Sequence, residues 1–347
     1  MKKEHILVIR FSALGDVAMA VPVIYSLATT YPDLRITVLS RAFARTFFEG
    51  LAPNVCFMEA NLKEEYKGLK GLNALYRRLA AKHFTAVADL HNVLRSEYLR
   101  MRFSLGRYRV AHIDKHRKGR RRLTALTNKE LVQQPTSFKK YADVFAKLGY
   151  PINPQFTSIF PPEGGDLSML PDIIGVKEPQ ERWIGIAPFA AHEGKIYPPR
   201  LMKQVVQMIL KKHPETRIFL FGRGKQEEET FTEWCNELPQ CTYVGKQLET
   251  MQQELILISH LDVMVSMDSA NMHLASLTGT PVVSVWGATH PYAGFLGWNQ
   301  SWDNVVQIDL PCRPCSIYGN KECVRGDYAC MRNIAPEQIV ERVMERF

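Results

Sequence analysis

Residues Val265–Trp298, VSMDSANMHLASLTGTPVVSVWGATHPYAGFLGW, constrain this chain more than any other stretch. The run Leu261–Ser266 is apolar and β-branched and stops at Asp268-Ser269. Asn271–Thr278 predicts a short helix, and Pro281–Val285 a second buried strand. Strand, tight turn, helix and strand in that order require a parallel sheet. The turn sets a carboxylate, a hydroxyl and unpaired backbone N–H groups at the carboxyl edge of that sheet. Open α/β sheets bind ligands at that edge, and helix N-termini hold phosphates there. Gly287 then opens a Gly/Pro-rich loop that can lie flat against a ligand.

The same alternation runs along the whole chain. His5–Arg10, Arg35–Ser40, Val55–Glu59 and Ala86–Leu90 predict strands, and Val17–Thr30, Gly68–Lys82 and Ser137–Leu148 predict helices. Tyr150–Glu181 is rich in Pro and Gly and reads as a connection. Trp183 starts a second series that ends in a helix from Pro336, a residue suited to a first helical turn. The expected organisation is an amino-terminal Rossmann-like domain over 1–150, a linker over 151–181, and a second Rossmann-like domain over 182–347. No repeat or low-complexity tract is visible.

Composition narrows the class. Of 347 residues, 46% are hydrophobic and 23% charged, as in ordinary globular proteins. The longest apolar runs are strand-sized, well short of the ~20 residues that cross a bilayer. Met-Lys-Lys-Glu-His leads straight into a strand pattern with no signal-peptide core, so a cytoplasmic location is expected. The net charge is +9, and residues 111–123, AHIDKHRKGRRRL, hold six Lys/Arg against one Asp. Basicity that local points to an anionic partner, with a solvated surface loop as the plainer reading.

Further motifs sharpen the picture. Ile6–Pro22, ILVIRFSALGDVAMAVP, is a strand leading to Ser-x-x-Gly-Asp at a helix start. Asp89–Ser96 reads DLHNVLRS, and Lys195 lies in a loop after the strand Trp183–Ala187, before Tyr197-Pro198. With the Asp-Ser turn, His-Leu-Ala, Pro-Val-Val and Trp-Gly-x-Thr-x-Pro of the first stretch, these occur in the order of, and closely resemble, the signatures of glycosyltransferase family 9, the lipopolysaccharide heptosyltransferases. The resemblance covers most of the chain. It implies the GT-B architecture: α/β, two Rossmann-like domains with parallel sheets facing across a cleft.

It also implies roles. Asp16 matches the family's presumed catalytic base; by itself, an Asp at a strand–helix junction is more often a cap. Lys195 matches a lysine that would neutralise charge developing on a leaving diphosphate; by itself it would pass as a surface lysine. Ala190 and Ala191 stand where some members carry hydroxyl residues, so hydroxyl contacts to phosphate are lost there. Asp268 can accept from donor-sugar hydroxyls, while Ser269 and the N–H groups of Ala270 and Asn271 can face phosphate oxygens. His273 is a packed helical residue or a donor-site contact. Gly222-Arg223-Gly224 reads as a close turn beneath a nucleotide, with Gln226 or Glu227 in reach of a ribose. Arg95, Lys115, Arg117, Arg120, Arg121 and Arg122 are acceptor-side candidates, because Arg engages carboxylate and phosphate bidentately.

Neither half carries a Walker A sequence or a Gly-x-Gly-x-x-Gly fingerprint, and no Asp-x-Asp pair stands at a strand end to hold a metal on a diphosphate. No cofactor is expected to be required for catalysis. The cysteines are a separate matter. Cys312, Cys315, Cys323 and Cys330 form C-x2-C-x7-C-x6-C. Four thiols this close favour a metal, zinc by default, over free thiols or disulfides.

The leading expectation is an inverting glycosyltransferase moving a heptose from a nucleotide-sugar donor, ADP-linked by resemblance, to an anionic lipid-linked saccharide. Peripheral contact with the inner face of the inner membrane would follow from such an acceptor. Two alternatives stand beside it: a nucleotide-sugar epimerase of the same architecture, which would need paired carboxylates and a His that are not legible, and a non-catalytic nucleic-acid-binding protein, which lacks aromatic interleaving around its basic run.

Overall fold

The computed structural model describes residues 4–347. The chain divides into two compact units. The first holds the residues up to Lys115 together with Pro135–Ile159; the second holds His116–Gln134 and Phe160–Phe347. The basic segment, which the sequence places within an amino-terminal domain of 1–150, therefore packs with the second unit. Three hydrogen-bonded anchors described below hold it there. The Pro/Gly-rich connection has irregular structure with one short turn of 3-10 helix at Leu167–Met169.

The first unit is a five-stranded parallel sheet built from β1 His5–Ile9, β2 Arg35–Ser40, β3 Val55–Glu59, β4 Ala86–Asp89 and β5 Arg109–His112, in the order β3-β2-β1-β4-β5. β1 is buried along its whole length, HILVI, as a central parallel strand covered on both faces must be. Its register sets Ile9 beside Leu39 on one side and Asp89 on the other. Helix Gly68–Ala80 buries Leu72, Leu75 and Leu79, a stripe at helical spacing that packs with Leu7, Ile9, Val87 and Phe103.

The second unit is a six-stranded parallel sheet. Its strands are β6 Trp183–Ala187, β7 Arg217–Leu220, β8 Cys241–Tyr243, β9 Val263–Met267, β10 Val282–Val285 and β11 Val305–Val306, in the order β11-β10-β9-β6-β7-β8. Helices Pro199–Lys212 and Pro336–Met344 lay Val205, Ile209, Ile339 and Val343 against Ile184, Val265 and Val283. Both sheets thus wind outwards from a central pair, β1/β4 in one and β6/β9 in the other. This is the Rossmann order, and its ligand position lies at the carboxyl ends of that pair.

The expected helix Val17–Thr30 is two helices, Leu14–Ala18 and Val21–Thr30. Pro22 cannot donate a backbone hydrogen bond, so it suits a new first turn better than a helix interior. Helix Leu94–Leu105 and edge strand β5 had no sequence expectation. The helix is polar, burying only Ser96, Leu99 and Phe103, and β5 buries Ala111 alone.

Candidate functional site

In the first unit the carboxyl ends of β1 and β4 bring charged groups together. Chain leaving β1 carries Arg10 inward, 6% exposed, and the short helix beyond it presents Asp16 as its third residue. Arg10 Nη2 lies 2.5 Å from Asp16 Oδ2, and Arg10 Nη1 donates to the Leu90 carbonyl at 2.7 Å. Asp16 also accepts from the Ala13 N–H at 3.4 Å, the reach-back contact of a helix's third residue. Tyr141 donates to the Asp16 carbonyl at 3.1 Å and lies 5.9 Å beneath the Arg10 guanidinium. Asp16 is therefore fixed both by its helix and by a buried cation, and its side chain keeps 32% of its surface open.

The DLHNVLRS motif continues the same edge. Asp89 is fully buried, accepts from the His91 and Asn92 N–H groups, and pairs with Arg100 at 3.1 Å. It shapes the turn and is not free to react. His91 Nδ1 accepts from the Phe11 N–H at 3.5 Å, which leaves the proton on Nε2. Burial, then the Arg10 charge, push the His91 imidazole down to about 3, so it is neutral at physiological pH. Arg95 is exposed in the first turn of its helix. Lys115 donates to the Asn92 carbonyl at 2.8 Å.

In the second unit the carboxyl ends of β6 and β9 carry Lys195 and Asp268. Their side chains lie 3.3 Å apart and are 14% and 6% exposed. Lys195 sits in a 3-10 turn, Glu193–Lys195, anchored by fully buried Tyr197, whose hydroxyl donates to the Ile334 carbonyl at 2.8 Å. Asp268 follows β9 directly. Ser269 is the N-cap residue of helix Ala270–Leu277, and its hydroxyl meets Ser266 Oγ at 3.2 Å. His273 is buried in that helix. Lys195, Asp268, Ser269 and Ala270 thus stand together at one sheet edge.

Gly287 serves the protein's own packing. A Cβ there would stand 2.6 Å from the Gly194 carbonyl and from Met331. Its missing side chain lets the protein's own backbones approach, and Ala288 donates to that same Gly194 carbonyl at 2.8 Å. Glu227 is also committed internally: its carboxylate accepts from the Arg223 N–H at 2.8 Å, and burial pushes its carboxyl up. Gln226 is exposed.

The cysteine-rich segment proves to be a wall of this site. Cys315 and Ser316 N–H groups donate to the Ala288 carbonyl at 3.0 and 3.2 Å. Arg313, 4% exposed, donates to the carbonyls of Trp286, Gly287, Thr289 and Ile308 and to Gln307. One planar cation thereby fixes the loop Trp286–Thr289. Gly319, in a left-handed conformation at φ +78, lies over the Lys195 stem; a Cβ there would stand 2.5 Å from Lys195 Cγ and Cδ. Arg10, His91, Arg313 and Gly319 had no sequence expectation. Arg10 and His91 lie inside the strand-edge motifs and Arg313 and Gly319 inside the cysteine motif, but the latter two matter through contacts distant in the chain.

All seven cysteines are free. Burial, then the neighbouring Cys312 and Cys323, push the Cys315 thiol up; burial pushes Cys330 up to about 11. Among the described residues, no three His, Cys, Asp or Glu side chains stand together in a group able to hold a metal ion.

The basic segment is ordered as helix Arg117–Leu123. Arg120 lies over the rings of Phe295 and Tyr318, at 5.1 and 5.7 Å, and donates to the Tyr318 hydroxyl at 2.7 Å. Lys129 donates to the Cys312 and Pro314 carbonyls, and the Gln134 N–H to the Tyr292 carbonyl. Arg122 pairs with Glu130 at 3.4 Å, while Arg117 and Arg121 are exposed.

The model of glycosyltransferase family 9 (heptosyltransferase) matches residues 72–324. Lipopolysaccharide heptosyltransferase 1 of Campylobacter coli is 23% identical over 360 residues, covering 99% of this chain and 98% of that protein. Among solved structures, the glycosyltransferase family 9 protein of Veillonella parvula superposes with a TM-score of 0.73 at 17% identity, over 100% of this chain and 98% of its own. E. coli heptosyltransferase WaaC with ADP-2-deoxy-2-fluoro heptose superposes with a TM-score of 0.68 at 16% identity, over 99% and 100%. These structural likenesses carry the GT-B fold, two Rossmann-like α/β units, and nothing finer. Because the family model takes in most of the chain, from the helix before β4 to the cysteine-rich segment, this protein belongs to glycosyltransferase family 9, the heptosyltransferases, and is a glycosyltransferase.

Proposed function

We propose that this enzyme moves a heptose from ADP-heptose to the anionic inner core of a lipopolysaccharide, with inversion at the anomeric carbon. The observation that carries the reading is the Lys195–Asp268 pair at the switch point of the second sheet, beside the start of helix Ala270–Leu277. A cation, a carboxylate and a helix N-terminus together suit a diphosphate joined to a sugar with free hydroxyls. E. coli WaaC, of the same fold, is solved with ADP-2-deoxy-2-fluoro heptose, which supports an ADP-linked donor.

In the proposed reaction Asp16 takes the proton of the acceptor hydroxyl. The acceptor oxygen then bonds to the anomeric carbon as the bond from that carbon to the diphosphate oxygen breaks. ADP leaves with the electron pair, and the Lys195 ammonium neutralises the charge it gains. A single displacement inverts the configuration. Asp268 and the N–H groups at Ala270 and Asn271 hold the sugar and the phosphates. No cofactor is called for in these steps.

Arg95, Lys115, Arg117, Arg121 and Arg122 suit an acceptor bearing carboxylates and phosphates. Arg120 contributes through the ordered segment, since its guanidinium is already stacked on Phe295 and Tyr318. A structural metal on Cys312, Cys315, Cys323 and Cys330 is the reading their spacing in the sequence supports. That metal would have to draw them closer than they stand, because among the described residues no three ligands are grouped for one.

A donor screen with ADP-, UDP- and GDP-linked sugars tests the reading, with transfer to Kdo-bearing lipid A read by mass spectrometry. ADP-heptose should be consumed and the product should be the opposite anomer. Transfer only from another base, or retention of configuration, would overturn it.

A further inference from the structure

The structure leaves five large hydrophobic side chains exposed in one neighbourhood of the second unit: Leu126 67%, Leu131 53%, Val132 58%, Tyr318 50% and Trp302 46%. They border helix Arg117–Leu123, which holds five basic residues and no acid. The Glu130 N–H donates to the Arg122 carbonyl at 3.2 Å, closing the loop between them. Leu131 and Val132 therefore leave beside the arginine-bearing helix end, and Leu126 lies in the closed loop. Arg120 ties Tyr318 to the same helix. Gln134 is bonded to Tyr292, whose ring lies 5.5 Å from that of Trp302.

Floppiness does not explain this exposure. Leu123 is fully buried, and Arg120, Lys129 and Gln134 each anchor the segment. Apolar side chains held outward on a fixed support, next to exposed Arg117, Lys118 and Arg121, cost free energy in water that a suitable partner would recover. Aliphatic tips, a Trp, a Tyr and flanking Lys/Arg together form the chemical pattern of an interfacial membrane contact. The aliphatics enter the acyl boundary, the amphipathic rings sit at headgroup level, and the cations meet lipid phosphates. Among the described residues no helix is long and apolar enough to cross a membrane, so such a contact is peripheral.

We propose that His116–Gln134, with Tyr318 and Trp302, docks this enzyme on an anionic lipid bilayer. The surface rests on the lipid-linked acceptor reading for its purpose only; its composition stands without it. Full-length protein should co-sediment with vesicles of phosphatidylcholine and phosphatidylglycerol, and stay in solution with phosphatidylcholine alone. L126S/L131S/V132S should lower affinity for the anionic vesicles on the order of tenfold. That variant should keep wild-type transfer to a soluble, delipidated acceptor and a wild-type melting temperature, since all three side chains are exposed. Lipids brominated along the acyl chain should quench part of the tryptophan emission, and Trp302→Phe should remove that part.

Failure of the wild type to sediment with anionic vesicles overturns the proposal. So does wild-type sedimentation of the triple variant, or a triple variant that loses self-association in lipid-free ultracentrifugation instead, which would make the patch an interface between copies. An enzyme that binds vesicles but accepts no heptose donor would defeat the function above and leave this surface in place.

Discussion

Arg10 and Asp16 form an ion pair of 2.5 Å in which the cation is buried and the carboxylate is a third exposed. The geometry fits a base that must be held still yet reached by an acceptor. Its catalytic worth lies in position. Asp16→Asn keeps an oxygen for Arg10 and should cost at most ~1–2 kcal/mol of stability. Turnover should fall by about two orders of magnitude or more, with ADP affinity unchanged. Near-normal transfer by this variant would remove Asp16 from the base role.

Lys195→Ala should weaken ADP binding in calorimetry and lower kcat on the order of 10²-fold, because leaving-group charge is largest in the transition state. It also strands buried Asp268, at a cost of roughly 3 kcal/mol. Lys195→Arg, which keeps the charge, should regain stability and part of the ADP affinity. Intact ADP affinity in Lys195→Ala would make the lysine a structural partner of Asp268 alone.

Gly319 and Gly326 offer a matched pair. Both are left-handed, at φ +78 and +75, but a Cβ on Gly319 meets the Lys195 stem while one on Gly326 meets nothing within 4 Å. Alanine at each position carries the same backbone strain of ~1 kcal/mol. Only Gly319→Ala should raise the ADP dissociation constant, by several-fold. Equal losses in the two variants would show that the cysteine-rich segment does not position Lys195.

Protein purified without added metal should carry about one zinc per chain if Cys312, Cys315, Cys323 and Cys330 close on a metal. Elemental analysis with thiol titration measures it. Four titratable thiols, no metal and unchanged stability on chelation would assign them to packing.

Stability should depend on pH in a defined window. Burial, aided by Arg35, Arg10 and Arg313 respectively, lowers His5 to about 4, His91 to about 3 and His290 to about 4. Depressed folded values mean that stability is complete above the unfolded value of 6.5 and is lost as pH falls toward 3–4. Each histidine should cost on the order of 2–3 kcal/mol at pH 4.5. Urea unfolding at pH 4.5, 5.5 and 7 measures this, and His5→Gln should flatten the slope by about one proton. A flat profile over that range would mean the rings are solvated.

The sequence by itself determined the two Rossmann-like halves. Strands such as HILVI and WIGIA are apolar but for His5 because a central parallel strand is buried on both faces, and that local pattern needs no tertiary knowledge. Asp268 follows such a strand directly, at the carboxyl edge of a parallel sheet where ligands bind, whereas Asp16 and Lys195 lie further along the chain and were singled out by the family resemblance. The polar helix Leu94–Leu105 and edge strand β5 were not legible, since neither carries enough apolar residues for a periodic signal. Tertiary structure alone decided the rest. Arg10 on Asp16 joins residues close in sequence, but which side chain turns inward depends on Leu90, brought alongside by sheet pairing. Arg313 on the Trp286–Thr289 loop and Gly319 on Lys195 join positions that only folding makes neighbours. The basic segment shows the difference most plainly. Its charge was readable, but its place in the second unit follows from Arg120 on Tyr318 and Lys129 on Cys312, long-range contacts that no local pattern encodes.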